Sequence, residues 1–193
     1  MRAPPVYFKR EPFLNMLLAA VDPFKKECLG YIFGKKPTKK RNSFIVINAI
    51  PAQLVKRRLN SEIEQSEAGF TRMDKLFSNF YSLYPVIGDF HSHPEWGLHK
   101  GSSHVSQKDI EGMRKEMKKI SLWVVISISS RMREKVVFWQ CQDDGGVRGS
   151  LGRYLFEIKA YCMSGNGRPS EQKPIPLTIY APTAIKALNR ALI

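Results

Sequence analysis

All four histidines of the chain, His91, His93, His99 and His104, fall within residues 91–104, in a segment that opens Gly88-Asp89-Phe90-His91-Ser92-His93-Pro94. Residues i and i+2 of a strand project from the same face, so His91 and His93 can aim their imidazole nitrogens at one point. Paired imidazoles suit a metal, and zinc in particular, whose catalytic sites take three protein ligands and keep a fourth position open. One further ligand is needed, and Asp109 in Ser106-Gln107-Lys108-Asp109 supplies it. The bland alternatives are a hydrogen-bonded histidine pair on a strand face and, for Ser-x-x-Asp, a capping box with its carboxylate in the first turn of a helix. Capping and ligation can coexist.

The run His91-Ser92-His93-Pro94, followed by Ser106-x-x-Asp109 at a helix start and preceded by Glu27 in Glu27-Cys28-Leu29-Gly30-Tyr31-Ile32-Phe33-Gly34, resembles the signature of the JAMM (MPN+, Mov34) zinc metalloproteases. The resemblance implies an α+β fold, a single MPN-like domain with a mixed curved β-sheet flanked by helices, of cytidine-deaminase-like architecture. It implies Glu27 as general acid/base, His91, His93 and Asp109 as zinc ligands, and Ser106 as stabiliser of the tetrahedral intermediate. It also implies an isopeptidase or peptidase that removes a ubiquitin-like protein from lysine. A non-catalytic MPN scaffold, a basic binding module and a zinc amidase acting on a small molecule are the alternatives.

The residue types agree with that chemistry. Zinc polarises a carbonyl and brings the pKa of a water toward about 7. Glu27 would take the water's proton and hand it to the departing amine, while Ser106 donates a hydrogen bond to the developing oxyanion, a contact whose loss costs about 3 kcal/mol. One departure stands out: residues 94–105 separate His93 from Ser106, several more than the family usually has, so a loop over Glu95 to Val105 must be accommodated. His99 and His104 read as residues of that loop rather than ligands, Ser92, Pro94 and Trp96 as residues that shape it, and Cys28 as core.

The elements that must position these residues follow from pattern. Phe13, Met16, Leu17, Ala20 and Val21 recur at i, i+3, i+4, i+7 and i+8, which predicts an amphipathic first helix rather than a signal peptide. Glu27 to Phe33 and Ser43 to Ile50 predict a hairpin around the basic loop 35–41. Residues 61–84 predict one long or broken helix, Val86 to His93 a strand, and Gln107 to Lys119 a helix. Leu122 to Ile128 and Lys135 to Cys141 read as a second hairpin, and Arg153 to Cys162 as a further strand. The domain is expected over residues 1–163. Residues 164–193 read as an exposed Gly/Pro loop and a C-terminal segment that either packs or seeks a partner.

Composition bounds the rest. A chain of 193 residues with 43% hydrophobic residues makes one domain with its own core and excludes disorder, and no apolar run is long enough for a membrane helix. Three scattered cysteines, Cys28, Cys141 and Cys162, give neither a disulfide framework nor a thiolate zinc knuckle and point to a reducing cytoplasm. The net charge of +14 reads evenly as a solubilising surface or as a field that draws an acidic protein. The basic runs are nearly free of aromatics, which argues against a nucleic-acid reader.

Overall fold

The structure, a computed structural model, describes residues 3–53, 55–58, 63–65, 68, 71–72, 75–76, 85–97, 100–117, 121–132, 135–164 and 171–192. A mixed, curved and nearly closed sheet is flanked by three helices among the described residues. In chain order the elements are β1 (Val6–Phe8), α1 (Arg10–Val21), β2 (Leu29–Lys35), β3 (Phe44–Pro51), β4 (Val55–Arg58), β5 (Ile63–Gln65), β6 (Val86–Pro94), α2 (Gln107–Glu116) and β7 (Leu122–Ser130). There follow β8 (Gln140–Cys141), β9 (Val147–Leu151), β10 (Tyr154–Met163), β11 (Pro174–Leu177), β12 (Ile179–Tyr180) and α3 (Pro182–Arg190). The strand order is β12-β1-β3-β2-β6-β7-β10-β9-β8, with β11 on β10, while β4 and β5 form a separate ribbon.

Strand β6 lies at the centre, antiparallel to β2 and parallel to β7. Parallel neighbours need a long crossover, and residues 95–121, which contain α2, make it. A returning helix begins near the carboxyl end of the strand it leaves, which brings the first turn of α2 to the end of β6 that carries His91 and His93. Gly88 permits the close approach of β7, because a Cβ there would lie 2.2 Å from the carbonyl oxygen of Leu122.

The two faces of the sheet differ. Phe90 of β6 and Leu122, Val124 and Ile126 of β7 join Phe13, Met16, Leu17 and Ala20 of α1 and Ala184 and Leu188 of α3 in the main core. Strand β7 is buried on both faces, as its nearly unbroken apolar run suggests. On the opposite face Trp123, Val125 and Tyr161 pack against Met113 of α2. The register pairs Asp89 with Trp123 and His91 with Val125, so the odd-numbered residues of β6 share the face that α2 covers.

The first helix, the β2–β3 hairpin, β6, α2 and β10 match expectation. The second hairpin does not. β7 pairs with β6 and β10, and the only strand within Lys135 to Cys141 is β8, whose partner is β9. Trp139, 2% exposed, is drawn into the main core, its ring nitrogen donating to Ser150 O at 2.9 Å. The helix expected over 61–84 is also corrected: Ile63–Gln65 is a strand on β4, while Ala68, Thr71, Arg72, Lys75 and Leu76 are helical and the other residues of that span lie outside the described ones.

The C-terminal residues pack. β11 is antiparallel to β10, β12 extends the sheet beside β1, and α3 contributes to the main core. Asn189 holds the Trp139 backbone from both sides, accepting from its N–H at 2.6 Å and donating to its carbonyl at 2.9 Å.

Candidate metal centre

His91 and His93 leave β6 on the face beneath α2, and Asp109 reaches them from the first turn of that helix. The two Nε2 atoms are 3.0 Å apart, and each lies 3.4 Å from an Asp109 oxygen, His91 from Oδ1 and His93 from Oδ2. Ligand atoms about 2.0–2.2 Å from a tetrahedral ion sit about 3.3–3.6 Å from one another. The three side chains could therefore hold a metal ion, and they are the one such group among the described residues.

Each ligand is held by a neighbour. The Asp109 Oδ2 atom accepts from the Ser106 N–H at 2.6 Å and Ser106 Oγ accepts from the Asp109 N–H at 3.1 Å, a complete capping box. This sets Oδ1 toward His91 and Oδ2 toward His93, and leaves the Ser106 hydroxyl proton to donate. His93 Nδ1 lies 2.7 Å from the carbonyl oxygen of Ser102. A carbonyl only accepts, so Nδ1 carries the proton and Nε2 presents its lone pair to the site.

The electrostatics follow from these contacts. Burial opposes ionisation of Asp109, but its hydrogen bonds to His91 and His93, the charge of His91 and the Ser106 N–H outweigh that and hold the carboxyl far below its ordinary range. Burial likewise disfavours charge on His93, yet the hydrogen bond and charge of Asp109, the Ser102 carbonyl and Glu27 raise its pKa.

Glu27 is buried two residues ahead of β2 and lines the same cavity as the three ligands. The Cys28 N–H donates to Ser92 Oγ at 2.8 Å and the Ser92 N–H to the Cys28 carbonyl at 3.0 Å. Those bonds extend the ladder in which Leu29 faces His91, so continuing the register sets Glu27 opposite His93. Ser92, read from sequence as shaping a loop, is instead fully buried on the central strand and ties the Glu27 segment to it. Cys28 is core, as expected.

The enlarged loop is stitched down. The Ser127 hydroxyl donates to Gly101 O at 2.6 Å, the Tyr161 hydroxyl donates to Ser103 O at 3.1 Å, and Glu95 accepts from the Ser130 N–H at 3.0 Å. His104 uses Nε2 to accept from Lys159 Nζ at 3.1 Å and sets Nδ1 3.3 Å from Ser102 Oγ, which keeps it out of the ligand set. His99 lies outside the described residues.

Two contributors escaped the sequence reading. The Ser102 carbonyl is a backbone group with no side-chain signature. Asp89 was visible in principle, since Asp89, His91 and His93 alternate along one strand face. It is 8% exposed and lines the cavity, and burial together with Glu116 and Asp109 pushes its carboxyl well above the ordinary range. The cavity, about 440 Å³, is also lined by Trp96, Gly112, Met113, Glu116 and Trp123.

No protein-family model matches the chain, and no curated protein does. Among solved structures the chain is similar to the solution structure of protein DSY2949 from Desulfitobacterium hafniense, with 13% sequence identity, a TM-score of 0.51, and coverage of 91% of this chain and 93% of that one. The likeness is one of fold.

Proposed function

We propose that the protein is a JAMM-type zinc hydrolase that cleaves an amide, in the first instance the isopeptide bond joining a ubiquitin-like protein to lysine, in a reducing cytoplasm. The observation that carries the reading is the His91, His93 and Asp109 set, spaced as zinc ligands, with the buried Glu27 opposite His93. Cys28, Cys141 and Cys162 are all free thiols, in keeping with the compartment. The positive net charge suits an acidic partner.

A zinc ion bound there supplies a Lewis acid and lowers the pKa of water to near neutrality. The chain does the rest. Glu27 accepts the proton of the attacking water and returns it to the leaving amine, a role that general acid–base groups fill with about 10²–10⁴-fold effect. The Ser106 hydroxyl, its oxygen already engaged by the Asp109 N–H, donates to the oxygen that gains charge. The Ser102 carbonyl fixes the His93 tautomer, and Asp109 is turned by the Ser106 N–H.

The test is a metal assay joined to one substitution. Purified protein is expected to carry about one zinc per chain, and Glu27→Gln to keep that zinc while turnover of ubiquitin-like conjugates falls by at least about 10²-fold. A chain that binds no zinc would reject the proposal in favour of a scaffold. Zinc retained without cleavage of any protein conjugate would favour a small-molecule amide, which the cavity can also admit.

A further inference from the structure

Asp89 is a carboxylate in search of a counter-charge. Its side chain is 8% exposed, points into the cavity that holds the metal ligands, and accepts no hydrogen bond among the described residues. Buried polar groups without a protein partner are uncommon in folded proteins, and one that faces a cavity is placed to meet a ligand there. Asp89 and His91 are two residue steps apart on the strand, a span of about 7 Å, the length of about two residues of extended substrate.

The helix above is shaped to match. Asp109, Gly112 and Glu116 follow one another along the stripe of α2 that lines the cavity. At Gly112 a Cβ would meet nothing within 4 Å, so the helix is bare there and space runs from the metal ligands toward Asp89 and Glu116. Glycine is unfavourable inside a helix. Trp123 and Met113 supply apolar wall beside this space.

We propose that Asp89 anchors a cation-recognising subsite beside the candidate metal centre, which takes an ammonium or guanidinium side chain next to the scissile amide. The preferred substrate is then a lysine- or arginine-bearing segment whose aliphatic stem lies along Gly112 and Trp123. The assignment of a scissile bond rests on the hydrolase reading; the recognition of a cation does not.

The experiment therefore reads binding. Protein loaded with one equivalent of zinc is titrated calorimetrically with N-acetyl-arginine amide and with its neutral isostere N-acetyl-citrulline amide. The arginine compound is expected to bind at least about tenfold tighter, and Asp89→Asn to abolish the difference with zinc content unchanged. Gly112→Leu, which fills the bare stretch, is expected to remove binding of the arginine compound and serves as the deciding variant should Asp89→Asn fold poorly. Equal affinity for the two compounds, no measurable binding of the arginine compound, or discrimination that survives both substitutions overturns the subsite. Cleavage of protein conjugates with no preference for a basic residue would overturn the subsite and leave the hydrolase standing. Discrimination without cleavage would do the reverse.

Discussion

At the scale of single residues, the centre depends on which nitrogen of His93 carries a proton, and pH gives a direct handle on this. The raised pKa of His93 means that its charge stabilises the metal-free fold fully below the ordinary value of 6.5, a contribution lost as pH rises through the folded value. The lowered pKa of Asp109 works in the opposite sense: its contribution is present above the ordinary value of 3.8 and lost as pH falls through the folded value. Zinc requires neutral imidazole, so its binding must displace a proton from His93 at pH 6.5 and release fewer protons at about pH 8.5. Calorimetric titration in buffers of different ionisation heat measures that release. A count that does not fall with rising pH would contradict the assignment.

At the scale of elements, the loop between β6 and α2 works as outer support for a ligand. Gly101 lets it do so, since a Cβ at this position would lie 1.9 Å from the His93 carbonyl oxygen. Gly101→Ala is expected to push the Ser102 carbonyl away from His93 and weaken zinc binding by about 10–100-fold, read by competition with a chelating dye, while circular dichroism stays unchanged. Unaltered affinity would mean the loop only covers the site. The clustering of His91, His93 and Asp109 was legible in the sequence because His-x-His and Ser-x-x-Asp each express one local geometry, a strand face and a helix cap. The elements around Trp139 were not. Lys135 to Cys141 carries β-forming residues, but Trp139 leaves for the core, and Gly149, which breaks the pattern of β9, is there because a Cβ would lie 2.2 Å from the Trp139 ring. Such partners are distant in sequence, and no periodicity reports them.

At the scale of the whole molecule, the sheet closes its far edge with the last part of the chain. β12 lies against β1, and Asn189 of α3 fixes the Trp139 backbone. Ending the chain after Met163 would uncover Val6, which is fully buried, along with the edge of β1 and the side of α1 that meets α3. The shortened chain is expected to lose its cooperative thermal transition, followed by circular dichroism. A sharp transition near that of the full chain would show the tail to be dispensable. The reading of these residues from sequence left packing and partner-seeking equally open, because a segment rich in glycine and proline followed by a short helix carries no sign of the strand it will join.

The capping box that starts α2 uses the same carboxylate as the metal set. Fraying of that first turn therefore takes the cluster apart from one side, while the two imidazoles stay fixed on the central strand. An ion seated there would hold the turn shut, and hydrogen–deuterium exchange at residues 107–110 would slow in step with its occupancy.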